Sequence, residues 1–423
     1  MNKRIIFPVF ILLISTAIIF FQFPNLPKNL SYDEVQFAKL ALSLDGKPYT
    51  PYSPLATGHS TLYFYVILLS FKIFGINNFA LRFPSAFFGV LNVMIFYFLM
   101  QFVFKQQNNK IMRQFNNLTI FFPFFLSVIL VSSHWYFNFS RFSFEATFLL
   151  FLELTSLYCL YRYIDKSKHS SLFLILSGIF AGLAYNSYTP GRIFFLLPLT
   201  FIFFTNFKNL INFKNFKIIL YFFIPFIIII TPLTAYLTLH PDDRVDKQFF
   251  PKNTEMKITE KADYFLRNIQ SIILMFNIKG DINGRHNYPA KPALNTILGI
   301  LFISGLLLAI KNLKKLPNQI FFAYFIIALI PATLTYPWEN PNMLRTFTVI
   351  PSVIYFIGNS FIWLLNYVKK DKKHILLTII IVLLVLSSIY ELRTYFLYQV
   401  KVFPQAFELK YELKTALNMK SLP

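Results

Sequence analysis

The chain is dominated by apolar runs that approach the ~20 residues a helix needs to cross a bilayer. They fall at 5–23, 79–104, 118–138, 142–164, 171–189, 192–206, 218–238, 293–310, 319–335, 347–367 and 374–392. A backbone in lipid has to satisfy its own hydrogen bonds, so such runs fold as helices. The sequence therefore predicts an all-α polytopic membrane protein of about eleven transmembrane helices. One more run, TLYFYVILLSFKIFG at 61–75, is short for a span and reads as an in-plane or re-entrant helix.

Charge orients these runs. The formal net charge of +22 would suggest nucleic acid in a soluble protein. Here the Lys and Arg sit in short loops between spans, as the positive-inside rule requires, so no nucleic-acid partner is expected. If 61–75 does not cross, the inner loops hold eighteen basic residues against two acids, Asp165 and Asp371. If it crosses, every later loop flips and that bias collapses. The start, MNKRIIFPVFILLISTAIIFFQF, is basic and then apolar for longer than a secretory signal, with no small-residue cleavage site. It reads as an uncleaved first span with a cytoplasmic N-terminus, in a multi-pass protein of the cell membrane. The lone Cys159 excludes a disulfide framework.

On this topology residues 1–392 form one transmembrane domain. Its outer face carries a first loop at 24–78 and a large loop at 239–292, and the tail at 393–423 ends there too. No inner loop is long enough to fold a domain, and no glycine-rich phosphate loop is present. Chemistry is thus expected at the extracytoplasmic face, on a substrate that arrives through the membrane.

The first loop opens NLSYDEVQFAKLALSLDGK. Asp33 and Glu34 are adjacent, so on a helix they point different ways and are able to take separate tasks, one as general base and one on a hydroxyl or ion. Ser31 with Glu34 also matches S-x-x-E, a capping box opening a helix. Such a cap accounts for the pair without chemistry and would also hold Asp33 rigidly.

The order of segments adds to this. A span is followed by YDE, an amphipathic helix, LDGKPYTPYSP, a short helix ending FKIFGINN, and then FALRFPSAFFGVLNVMIFYFL. This resembles the bacterial members of the protein O-mannosyltransferase family, which include the lipid A aminoarabinose transferases and have the GT-C fold. Leu81, Arg82, Phe83, Pro84, Ser85, Ala86 and Gly89 match the family's span opening. SSHWYFNFSRFSFEATFLLFLELTSLYCLYRY resembles its second outer loop, with Arg141 and Glu145 in the places of an arginine and an acid. AGLAYNSYTPGRIFFLLPL, FNIKGDINGRHNYPAKPALN and PNMLRTFTVIPSVIYF resemble later segments, so the likeness covers most of 1–365.

The resemblance implies a glycosyltransferase that moves a sugar from a polyprenyl-phosphate carrier to an acceptor at the outer face, with inversion. Asp33 would be the base and Glu34 its acceptor-contacting neighbour. Glu145 and Arg141 would contact acceptor or sugar, although a plain Arg141–Glu145 ion pair at i,i+4 explains them as well. Departing phosphate needs cations. Arg345 is the first choice and Arg285 with His286 the second, against snorkelling and loop solvation. Where the aminoarabinose transferases carry a lysine-proline, this chain has SPLATGHSTLYF, so His59 would contact the phosphate or that contact is missing.

Two competitors remain. HPDDRVDKQF holds Asp242, Asp243 and Asp246, a D-D-x-x-D pattern able to hold Mg²⁺ against a diphosphate lipid, although solvated loop charge accounts for it too. A lipid or solute transporter without chemistry would show broken helices or repeats, and none is evident. These residues single out no definite cofactor, and a divalent metal stays open. The Asp33–Glu34 pair is able to hold a divalent ion or to work without one. The remaining histidines lack zinc-ligand spacing. The acceptor, whether protein, glycan or lipid, is left open, and membrane lipid surrounds the chain.

Overall fold

The computed structural model describes residues 3–23, 25–106, 118–165, 170–206, 213–240 and 243–419. It is helical almost throughout. Helix α1 spans Lys3–Phe20, α2 Tyr32–Ser43, α3 Leu62–Phe74 and α4 Asn78–Gln106. Then come α5 Leu118–Ser132, α6 His134–Phe139, α7 Ala146–Ile164, α8 Ser170–Tyr185 and α9 Leu196–Asn206. The second half contains α10 Phe213–Leu239, α11 Asp243–Gln248, α12 Ile258–Asn277, α13 Thr296–Lys311, α14 Leu316–Thr333, α15 Ile350–Tyr367 and α16 Lys373–Arg393. A helix stands at each expected apolar run. Among the described residues, five helical stretches are long and apolar enough to cross a membrane: 78–105, 217–239, 316–333, 347–367 and 373–401. Shorter apolar helices of 10–17 residues accompany them, Leu62–Phe74 included.

Between lipid-embedded helices there is little hydrophobic drive to associate, so close packing of small residues does the work. Gly178 and Gly182 are spaced as G-x-x-x-G on α8, and α10 lies directly against them. A Cβ at Gly178 would collide with the Phe222 carbonyl oxygen, and one at Gly182 would lie 3.2 Å from the Phe226 carbonyl oxygen. Replacing Gly178 with Ala is therefore expected to force α8 and α10 apart and cost about 1–3 kcal/mol. Thermal unfolding in detergent reads this as a lowered midpoint, and an unchanged midpoint would contradict the packing.

The two long loops expected at the outer face carry helices and, in the first, a short hairpin. The first loop contains α2, α3 and a two-stranded hairpin, Tyr52–Ser53 paired antiparallel with His59–Ser60. The large loop at 239–292 holds the 20-residue helix α12. On it Ile258, Leu266 and Ile273 form an exposed apolar stripe, while Ile272, Met275 and Phe276 face the core. The tail folds back onto the first loop. Leu30 and Leu409 exchange backbone hydrogen bonds of 3.0 and 2.9 Å, and Phe407, Leu409, Leu413 and Ala416 are buried. Leu413 N–H donates to Asn78 Oδ1 at 3.1 Å.

Candidate active site

Helix α2 begins with the expected capping box. Ser31 Oγ accepts from Glu34 N–H at 3.2 Å, and Glu34 Oε2 accepts from Ser31 N–H at 3.1 Å. Glu34 is wholly buried and also receives a two-pronged contact from Arg82, Nε to Oε1 at 2.7 Å and Nη2 to Oε2 at 2.9 Å. Ser143 N–H adds a fourth donor at 3.1 Å. Four donors occupy the sites a carboxylate offers, and Glu34, expected as an acceptor contact, here faces Arg82. That arginine also donates to the carbonyls of Pro27 and Asn29, tying the start of the first loop to α4. The neighbouring Asp33 points elsewhere. Its carboxylate is half exposed and takes one contact, from Arg285 Nη1 at 2.5 Å.

One turn further along α2, the Phe37 ring lies 5.1 Å from the His59 ring and 5.2 Å from Phe144. His59 is delivered there by the hairpin. The hairpin turn runs through left-handed backbone at Ala56 (φ 55°), Thr57 (φ 71°) and Gly58 (φ 94°), which is costly for the two residues that carry a Cβ. His59 Nδ1 is 2.7 Å from Glu145 Oε1, and both side chains are buried. Arg244 Nη1 lies 2.9 Å from His59 Nδ1, 2.8 Å from Nε2 and 3.1 Å from the Gly58 carbonyl. Glu145 Oε2 is buried and has no hydrogen bond among the described residues. Glu145 stands immediately before α7, where the positive helix end favours a carboxylate.

Arg141 does not pair with Glu145. It is buried and donates to the Ile19 and Leu26 carbonyls at 2.6 and 3.2 Å and to Tyr395 Oη at 3.1 Å. The chain turns between 140 and 145 instead of continuing a helix, so the i,i+4 face assumed for the two never forms. Arg141 serves the open carbonyl end of α1.

Arg345 is buried. Its Nη2 is 2.5 Å from Glu339, and among the described residues its Nη1 has no partner. Tyr188 is buried in the joint field of Arg244, Glu145, Arg345 and Glu339, and burial above all pushes its phenol upward. Arg285 reaches Asp33. His286, expected beside it as a phosphate contact, turns to Asp281 instead, with Nδ1 2.8 Å from Oδ2. Asp281 also accepts from Met343 N–H at 2.9 Å and Asn283 N–H at 2.8 Å, pinning the Arg285 loop to the Arg345 loop.

A cavity of about 420 Å³ opens beside His59. Arg244, Lys247 and His240 line it with Tyr52, Tyr236 and Gly58. Its cations suit an anionic ligand. Arg244, Lys247 and Tyr188 were absent from the sequence-derived site. Arg244 and Lys247 sit inside the HPDDRVDKQF stretch and read there as solvated loop charge. Of the acidic pattern itself, Asp242 and the side chains of Asp243 and Asp246 lie outside the described residues. Among the described residues no group of three His, Cys, Asp or Glu is disposed to hold a metal ion.

The sequence model of the family described as dolichyl-phosphate-mannose-protein mannosyltransferase matches residues 58–235. That span includes His59, Arg82, Arg141, Glu145 and Tyr188 and excludes Asp33 and Arg345. No curated protein matches in sequence. Solved structures do match in shape. ArnT from Cupriavidus metallidurans bound to undecaprenyl phosphate aligns with TM-score 0.54 and 11% identity, over 89% of this chain and 63% of that one. The oligosaccharyltransferase of Archaeoglobus fulgidus in the apo form aligns with TM-score 0.51 and 15% identity, over 96% and 56%. The chain has the GT-C glycosyltransferase fold. It spans about three fifths of the length of the ArnT structures it matches. In this GT-C frame Asp33 lies in the first turn of α2, His59 in the hairpin and Glu145 just before α7, while the cationic cavity is lined from the hairpin, the end of α10 and α11.

Proposed function

We propose that the chain is an inverting glycosyltransferase that takes a sugar from a polyprenyl-phosphate carrier and passes it to a hydroxyl acceptor at the extracytoplasmic face. The observation that carries this reading is the placement of one half-exposed carboxylate, Asp33, on a capped helix whose next turn meets His59 through Phe37, the same histidine that Arg244 of the cationic cavity contacts. The Asp33 carboxylate takes the acceptor hydroxyl proton. The acceptor oxygen attacks the anomeric carbon as its bond to the phosphate oxygen breaks, and the electron pair leaves with the polyprenyl phosphate. Arg244 and Lys247 of the cavity, and Arg345, whose Nη1 has no partner among the described residues, would meet that charge. Arg285 orients Asp33, and Glu34 with Arg82 fixes the helix beneath it. The undecaprenyl phosphate bound by ArnT supports a carrier of the same chemistry here.

Two measurements test this. Transfer from a polyprenyl-phosphate hexose of known anomeric configuration should give the opposite anomer by proton NMR; a retained configuration would remove Asp33 from the role of single base. Arg244→Ala should raise the donor KM about 10–100-fold, the loss of one charged hydrogen bond of about 1.5–3 kcal/mol. An unchanged donor KM would place the phosphate elsewhere.

A further inference from the structure

A second cavity, of about 530 Å³, adjoins the cationic one, and Lys247 lines both. Its wall is aromatic and acidic: Tyr264, Tyr336 and Trp338 with Glu255, Glu260 and Asn253. Trp338 is 71% exposed, yet it is not loose. It stacks on Tyr336 with centroids 4.6 Å apart and planes at 14°, and Tyr264 meets it edge-on at 6.2 Å. Phe250 supports Tyr264 from 5.9 Å. One face of the indole is therefore covered and the other is presented to solvent. The next residue, Glu339, holds Arg345. A backbone bridge between Phe249 and Thr335 joins the Lys247 segment to the Tyr336 segment.

An indole face carries negative charge density and attracts the weakly positive C–H groups of a sugar ring. Carboxylates and an amide around it accept and donate to hydroxyls. Around the rings the wall carries carboxylate, amide and ammonium groups with one thioether, Met256, and the apolar stripe Ile258, Leu266 and Ile273 lies on a different face of α12 from Tyr264.

We infer that this cleft is an acceptor subsite for a glycan, with Trp338 as the stacking platform and Glu255 and Glu260 binding hydroxyls. Its place in a reaction rests on the transferase reading above; the binding does not. The test is calorimetric titration of the full chain in lipid nanodiscs with soluble tetrasaccharides of glucose, mannose and N-acetylglucosamine, beside a serine- and threonine-rich peptide. At least one tetrasaccharide should bind. Trp338→Ala should weaken it at least about tenfold, as loss of an aromatic anchor does, while Trp338→Phe keeps most of the affinity and Glu260→Gln loses part of it. Equal binding to Trp338→Ala overturns the site, as does binding of no saccharide or Trp338-dependent binding of the peptide alone. Quenching of Trp338 by brominated lipids in place of saccharide binding also overturns it. Saccharide binding through Trp338 without any donor turnover would sustain the glycan site and sink the transferase. Donor turnover onto peptide alone would do the reverse.

Discussion

Asp33→Asn is expected to cut sugar transfer by about 10²–10⁴-fold, the usual worth of a general base, while the protein stays folded. The substitution keeps shape and removes the lone pair that takes the proton. Little stability is at stake. The carboxylate is half exposed, its one ion-pair partner among the described residues is Arg285, and its place in the first turn of a helix contributes roughly 0.3–1 kcal/mol. The capping box belongs to Ser31 and Glu34 and is untouched. Transfer rates in liposomes and thermal midpoints in detergent separate the two effects. An Asp33→Asn protein that turns over at the wild-type rate would remove Asp33 from the chemistry.

Its neighbour should behave in the opposite way. Arg82→Met leaves the Glu34 carboxylate fully buried with only two backbone N–H donors, and stranding one partner of a buried pair costs about 3–5 kcal/mol. The same change frees the Pro27 and Asn29 carbonyls. A large fall in the unfolding midpoint is expected. Combining it with Glu34→Met removes the stranded charge and should recover part of the loss. A single Arg82→Met protein that unfolds at the wild-type temperature would show that the pair is not what fixes the first loop.

Local features were legible in the sequence. Apolar run length located the helices, and S-x-x-E at Ser31–Glu34 gave the capping box, because both follow from residues within a few positions of each other. The long-range partners were not. Glu34 meets Arg82 and Ser143, and His59 meets Glu145 and Arg244. Nothing in their spacing says which acid a given arginine will find. Arg141 and Glu145 misled for the same reason, since their four-residue separation matters only on a continuous helix and the chain turns there. Helix α12 did carry its own signal, a 3.6-residue alternation across KADYFLRNIQSIILMF, which its place in a loop between spans concealed. The tail has no local motif at all. Its role comes from Phe407, under the Arg82 guanidinium at 5.8 Å, and from Leu409 beside Leu30.

The most direct measurement is release of sugar from a radiolabelled polyprenyl-phosphate hexose by the purified wild-type protein in liposomes. A transferase of this kind releases labelled sugar to an acceptor or, slowly, to water, and leaves unlabelled polyprenyl phosphate in the membrane. No release with any hexose or pentose supplied on that carrier would contradict the proposed activity.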